Sequence, residues 1–306
     1  MEGNFLTSIL RLTRPVNLLI IGATMLGVYT KIITAIPILK LAFFDFVFFI
    51  IGTLLIASGG NVINDYYDIK ADKINKPKQL IISNILSKKQ ALFFYMGLNL
   101  SSILIGLYLS IEHNSFCFLF LNSSCILALW FYSRTLKKKL IIGNILIALL
   151  TGLIPLVALS YFYFTKATEI YSIHGTTNLY FIKTLSFIIY LSIFASLQNL
   201  AREIWKDAED IEGDEKINVI SIPIQYGIQN AKRIVAFILI TELLLYLMFF
   251  KELKMELNPN SFLVFNLALS MNLIILVSIS KHRLFMKYGG NLLKISMVIG
   301  LSSLYL

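Results

Sequence analysis

The sequence predicts an all-α protein: a polytopic membrane bundle of about nine transmembrane helices, with its polar site gathered at the cytoplasmic end. Three observations predict it. Of 306 residues, 57% are hydrophobic and only 14% charged, and the mean hydropathy is +0.77; a water-soluble domain of this length carries more charge on its surface. The apolar residues fall in runs long enough to cross ~30 Å of hydrocarbon, about 20 residues each. The basic residues, which give a net charge of +10, crowd into alternate loops between those runs. With so little polar linker between the runs, the expected organisation is one membrane domain over residues 1–306, made of two weakly repeated halves at about 1–139 and 140–306.

The runs lie near 16–36, 42–64, 90–110, 116–134, 140–164, 181–202, 232–250, 260–280 and 288–306. Arg11, Arg14 and Pro15 precede the first run. They form a juxtamembrane anchor with proline at the helix start, where its missing N–H costs nothing. The second run leads directly into an acid-rich stretch. The fourth holds both cysteines, Cys117 and Cys125. An i, i+8 pair on one helix cannot bridge, so no disulfide framework is implied. The ninth run is the weakest, because Lys294 lies inside it. The opening Met-Glu-Gly-Asn-Phe lacks the basic start of a signal peptide. Asp45 and Glu242 lie within or near runs, away from the acid-rich stretches, and His113, His174 and His282 are scattered in loops without metal-ligand spacing.

The loops alternate in charge. One set holds Arg11 and Arg14; Lys70, Lys73, Lys76, Lys78, Lys88 and Lys89; Arg134, Lys137, Lys138 and Lys139; Arg202, Lys206, Lys216, Lys232 and Arg233; Lys281, Arg283 and Lys287. The opposite set holds Lys31, Lys40, Lys166, Lys183, Lys251 and Lys254. The excess of Lys and Arg on one side places that side, with the N-terminus, in the cytoplasm. The same pattern accounts for the high pI of about 9.4 without nucleic acid as a partner; membrane lipids are the expected surroundings.

Two acid-rich stretches lie on that side. Asp65, Asp68 and Asp72 follow the second run, and Asp207, Asp210 and Asp214 follow the sixth with the same spacing. On a helix, residues i, i+3 and i+7 fall within roughly 60° of one another, on one face. Ionised carboxylates at the mouth of an apolar span are costly unless something cationic sits among them. Magnesium, a hard cation, is usually held by one or two carboxylates with waters and phosphate oxygens. Two facing carboxylate sets therefore suit magnesium ions shared with a diphosphate. Lys76, Lys78, Arg202, Lys206 and Lys216 are cationic candidates for the diphosphate, with Arg134 and Lys137 at the end of the fourth run; each has membrane anchoring as its other reading. The apolar chamber behind suits a long hydrocarbon tail. Together these features describe heterolysis of an allylic diphosphate, giving a carbocation that an acceptor captures. Tyr66, Tyr67, Phe131, Tyr132 and Trp205 near the mouth are candidates to face the cation, or packing residues. A cation channel or transporter would instead carry its acids mid-span along a path through the bilayer, and these cluster at one end.

The residues also resemble a known family. Asn61-x-x-Asn64-Asp65-x-x-Asp68-x-x-x-Asp72 with Asn75-Lys76-Pro77 is similar to the first signature of UbiA-type intramembrane prenyltransferases, and the run from Arg202 and Glu203 through Lys206, Asp207 and Asp210 to Asp214 to the second. Tyr132-Ser133-x-x-Leu136-Lys137 with Gly143-Asn144, and Arg14-Pro15-x-Asn17, resemble further segments, so the likeness covers essentially the whole chain. It implies a nine-helix bundle, dependence on Mg2+ and prenyl transfer from a polyprenyl diphosphate, geranylgeranyl diphosphate by preference. By position, Asn61, Asp65, Asp68 and Asp72 would hold magnesium from one side, with Asn64 and Lys76 nearby. Asp207, Asp210 and Asp214 would hold it from the other, with Lys206 and Arg202 on the diphosphate. The second signature most resembles the branch that prenylates geranylgeranylglyceryl phosphate, with Glu203 or a carboxylate not fully occupied by metal as the base for the acceptor hydroxyl. An aromatic quinone or chlorin-type precursor is the alternative acceptor. The chain departs from the family at Asn75-Lys76-Pro77-Lys78-Gln79-Leu80, which lacks the usual Arg after the first signature; Lys76 or Lys78 stands in its place.

Overall fold

The computed structural model describes residues 5–39, 43–77, 80–256, 258–280 and 282–306; Lys40, Lys78 and Lys281, named above, lie outside them. The described residues form α-helices joined by short 3-10 turns and loops, with no strand among them beyond an isolated Ile82–Leu86 bridge. The helices are α1 (Phe5–Thr13), α2 (Pro15–Ala35), α3 (Phe43–Asn75), α4 (Lys88–Glu112), α5 (Cys117–Arg134), α6 (Ile142–Gly152), α7 (Ile154–Thr165), α8 (Ala167–Tyr171), α9 (Gly175–Glu209), α10 (Ile211–Lys216), α11 (Ile222–Tyr226), α12 (Ile228–Glu256), α13 (Pro259–Ser280) and α14 (His282–Ser302).

Seven of these are long and apolar enough to cross a membrane, and eight spans result if α6 and α7 count as one. The predicted run at 140–164 is that pair, bent by 53° at Gly152–Leu153. Pro155 opens α7, where it lacks a donor the preceding turn would need. Gly152 sits where a Cβ would meet the Ser196 backbone at 2.4 Å, so the bend coincides with close contact between α6 and α9. The predicted ninth span corresponds to α14. It is helical and packs against α13 and α9, but its polar residues keep it below the apolarity of the other spans. The chain is thus an integral membrane protein, and a count of nine spans is not reached among the described residues.

Two of the three buried apolar clusters set the position of the site. At the end away from the aspartates, Tyr29, Phe46, Phe49, Phe118, Tyr161 and Phe162 form a buried aromatic cluster, with Tyr29 stacked on Phe46 at 4.5 Å and Tyr161 edge-on to Phe46 at 5.0 Å. Edge and offset contacts of this kind add to apolar burial. Phe46 and Asp68 share α3, so at 1.5 Å per residue this cluster lies roughly 30 Å from the acidic end. Nearer that end, Ala201, Ile204, Trp205, Val235, Leu239, Ile275 and Leu293 pack α9 against α12, α13 and α14, which fixes the acid-bearing end of α9.

Candidate active site

The site lies where the last turns of α3 and α9 meet α10, the turn at Leu136–Lys138 and the α1–α2 junction. Asp65, Asp68 and Asp72 ride on the unbroken α3. α9 stops at Glu209, Asp210 forms the joint, and Asp214 sits on α10. Asn75 joins the two motifs: its Nδ2 donates to the Asp210 carbonyl at 2.9 Å, and its Oδ1 accepts from the Gly213 N–H at 2.8 Å. The Asn75 amide is so close to Gly213 that a Cβ there would lie 2.5 Å from Nδ2. Glycine is what permits this approach.

The carboxylates are met by nitrogen donors, some from other segments and some from their own helix. Arg14 reaches Asp65 at 2.7 Å, Lys76 reaches Asp210 at 2.8 Å, and Lys137 pairs with Asp68. Asn64 donates to Asp68 at 2.7 Å and Asn144 to Asp207 at 2.8 Å. Arg202 and Lys206 both reach Glu203, at 3.0 and 3.5 Å. Asn61 turns its amide nitrogen to the Thr13 carbonyl at 2.9 Å. Arg14 holds its place in a left-handed backbone, φ 56°, a conformation costing about 1–3 kcal/mol for a residue with a side chain; the pair with Asp65 helps hold it there. Burial works against the Lys137 charge, but Asp68 outweighs it, so the ammonium keeps its proton above the ordinary lysine range. Burial also raises the Asp214 carboxyl to about 6, with Lys137 opposing the rise and Asp210 and Asp68 adding to it.

The structure brings Asn61, Asn64, Asp65, Asp68, Asp72, Lys76, Lys137, Arg202, Glu203, Lys206, Asp207, Asp210 and Asp214 to one end of the bundle. It places two others apart. Arg134 is exposed and stacks over Trp130 at 4.8 Å, and Lys216 is exposed at the end of α10 with no site carboxylate paired to it among the described contacts. Tyr132 is buried within electrostatic reach of Asp68, Glu203 and Asp207, and Trp205 is fully buried beside Glu209, 3.0 Å from Nε1. Phe131 and Tyr67 face outward, and Tyr66 packs beside the Val62–Ile69 face of α3. Asp45 and Glu242 stand apart from the site. Asp45 accepts from Tyr108 at 3.1 Å, and Glu242 accepts from Gln198 and Asn272 at 3.1 and 3.0 Å. Three contributors fell outside the sequence-based site set: Arg14, Asn75 and Asn144. Each lies in a motif described above, and so does its partner; what the sequence does not show is the pairing, across 51, 135 and 63 residues.

A cleft of about 350 Å³ opens beside the motifs, lined by Lys76, Arg202, Trp205, Lys206, Glu209, Gly290 and Asn291. It is polar on its α9 wall and open to solvent. The donor set suits magnesium: all the anionic ligands are hard carboxylate oxygens, with Asn61 and Asn64 beside them and no thiolate or imidazole among them. No three His, Cys, Asp or Glu side chains converge on one point among the described residues.

A helical membrane bundle with two facing aspartate motifs over an apolar interior defines an intramembrane transferase of prenyl groups. The UbiA prenyltransferase family model matches residues 19–295, and the chain belongs to that family. It is 33% identical over 225 residues to digeranylgeranylglyceryl phosphate synthase of Thermococcus sibiricus, an alignment covering 74% of this chain and 70% of that one. Its fold matches a solved structure of a digeranylgeranylglyceryl phosphate synthase in membranes, with a TM-score of 0.62, 22% identity and coverage of 99% and 98% of the two chains. It also matches a UbiA homolog from Archaeoglobus fulgidus bound to GPP and Mg2+, with a TM-score of 0.63, 15% identity and coverage of 98% and 100%.

Proposed function

We propose that the protein transfers a geranylgeranyl group from geranylgeranyl diphosphate to the free hydroxyl of geranylgeranylglyceryl phosphate, in an Mg2+-dependent reaction at the cytoplasmic face of the membrane. The observation that carries this reading is the joining of the two aspartate motifs through Asn75, which faces two carboxylate sets across one mouth. The kinship with the Thermococcus sibiricus synthase supports the acceptor. We read residues 1–306 as one domain for this reaction, with the N-terminus on the cytoplasmic side.

Asn61, Asp65, Asp68 and Asp72 would hold magnesium from α3, and Asp207, Asp210 and Asp214 from α9 and α10. Bound there, the metal draws negative charge from the leaving diphosphate. The protein's own cations act on the same charge. Lys76, Lys137 and Lys206 stand beside the carboxylates and are placed to bind phosphate oxygens as the allylic C–O bond breaks. The ether bond forms when the acceptor hydroxyl oxygen attacks that carbon, and its proton passes to a carboxylate. We assign this role to Glu203. Arg202 and Lys206 hold Glu203 in the free protein; as they turn to phosphate oxygens, its carboxylate is released to accept the proton.

Membranes containing the full-length protein, given labelled geranylgeranyl diphosphate and Mg2+, should move label into a base-stable lipid with geranylgeranylglyceryl phosphate and not with an aromatic quinone precursor. Label transferred only to the aromatic acceptor, or to neither, would overturn the reading.

A further inference from the structure

Lys294 belongs to neither loop set. It stands inside α14, where a charge needs a polar partner. Its ammonium donates to Asn17 Oδ1 at 2.7 Å, on the first turn of α2, and an amide oxygen leaves the charge uncompensated. No carboxylate pairs with it among the described residues. Asn17 lies three residues beyond Arg14, the residue that precedes α2, and Arg202 lines one cleft with Gly290 and Asn291 of α14; both neighbours are cations. The other cations around the motifs are matched: Arg14 to Asp65, Lys76 to Asp210, Lys137 to Asp68, and Arg202 and Lys206 to Glu203.

Three cations from three separate segments therefore gather at one end of the bundle. Like charges do so at an electrostatic cost, and an anion among them removes it. The space for one is adjacent. Arg202 lines the cleft from α9, and Gly290 and Asn291 line it from α14. Lys294 follows those two by four and three residues, so it shares their face. The cleft is narrow at this point, with the Gly290 Cα side 3.3 Å from Trp205 for any added Cβ.

The geometry points to Lys294, with Arg202 and Arg14, as the binding site for the phosphate monoester of the acceptor, distinct from the site of the donor diphosphate. This rests on the prenylglyceryl phosphate reading above. The donor diphosphate already has both aspartate motifs, Lys76 and Lys137. The acceptor carries its hydroxyl and its phosphate on neighbouring carbons, so its phosphate must lie close to the base that takes the hydroxyl proton. Arg202 is the neighbour of Glu203 and touches its carboxylate at 3.0 Å, which puts the phosphate site and the base side by side.

The test uses full-length protein in lipid nanodiscs, as wild type, Lys294→Met and Lys294→Arg. Lys294→Met should raise the KM for geranylgeranylglyceryl phosphate about 10- to 100-fold, the worth of a hydrogen bond to a charged group, and leave the KM for geranylgeranyl diphosphate as it was. Lys294→Arg should recover most of the loss. With geranylgeranylglycerol, which lacks the phosphate, wild type and Lys294→Met should react at equal rates. A rise in the donor KM by the same factor, an equal loss with both acceptors, or no change with either would overturn the assignment. Equilibrium binding of geranylgeranylglyceryl phosphate without donor separates this inference from the reading beneath it. Wild type that binds the acceptor more tightly than Lys294→Met upholds the site even where no transfer follows; wild type that neither binds nor transfers it overturns both.

Discussion

The two acidic motifs share one spacing and differ in build. Asp65, Asp68 and Asp72 lie on a single helix that runs unbroken from Phe43 to Asn75. Asp207, Asp210 and Asp214 begin on α9, pass through a joint at Asp210 (φ −101°, ψ 10°) and end on α10. The first motif is a straight edge of one element, and the second bends toward it. Their partners differ too. Asp65 and Asp68 are neutralised by cations from segments outside the motif, Arg14 and Lys137. Asp210 is neutralised by Lys76, one residue beyond α3, whereas the hydrogen bond to Asp207 comes from the neutral Asn144 amide. The comparison shows that identical spacing need not mean identical geometry. The two halves become one site through Asn75 and Lys76, which follow the first motif and grip the joint of the second.

The strongest way to break this pairing is to remove a carboxylate from either half. Asp68→Asn and Asp207→Asn should each lower transfer by about 10²–10³-fold at saturating Mg2+, the scale seen when one preorganised charge-stabilising group is lost. The double variant should fall no further than the weaker single, because groups that act as a unit are not additive. Circular dichroism should show the helices retained in all three. Losses that multiply would mean that the halves act independently.

The joint itself can be broken without touching a carboxylate. Gly213→Ala puts a Cβ 2.5 Å from Asn75 Nδ2 and 2.6 Å from Oδ1, forcing out a side chain held at both ends. Two hydrogen bonds go with it, and we expect about 1–3 kcal/mol of lost stability by thermal unfolding. Asn75→Ala loses the same bonds. The double variant should therefore be no less stable than Gly213→Ala alone, since the clash has no partner left. Gly97→Ala, where nothing lies within 4 Å of the added atom, is the control and should not destabilise. Additive losses from Gly213 and Asn75 would show that the contact between them is not what matters.

Much of the architecture could be read in the chain, and the remainder has physical reasons for being hidden. The straight motif on α3 was legible because an apolar run leads into it without a breaker. The break in α9 was not, because no proline marks it; Gly213 was its only local signal. The bend in the 140–164 run was signalled by Pro155, yet the run's hydropathy reads as one span. α14 was legible as the weakest span because Lys294 interrupts it. The amide partners were hidden most thoroughly: Asn75 and Asn144 find theirs 135 and 63 residues away, and a side-chain amide carries no charge pattern to suggest a direction. Charge alone also cannot separate a ligand from an anchor. Arg134 and Lys137 are three residues apart; Lys137 pairs with Asp68, while Arg134 lies exposed on Trp130.

The smallest expected effect sharpens the contrast at its far end. Asp214 is buried on α10, and its carboxyl is raised to about 6 by burial first, with Lys137 opposing and Asp210 and Asp68 reinforcing. A carboxyl raised on folding binds its proton more tightly in the folded state. Between the unfolded value and about 6, acid therefore favours the metal-free fold through this group, and that contribution is lost as pH rises through 6. Magnesium has the opposite preference, because it needs the ionised carboxylate and its binding releases the proton. The stabilisation given by a fixed concentration of Mg2+, read as a shift in Tm, should thus be larger at pH 7.5 than at pH 5.5. Asp214→Asn should reduce that difference, by less than the loss of activity in Asp68→Asn, because one titrating ligand among several changes affinity by at most about tenfold per pH unit. If Asp214→Asn leaves that difference as it is in wild type, Asp214, the residue beyond the joint, takes no part in holding the metal, and the second half of the site is confined to Asp207 and Asp210.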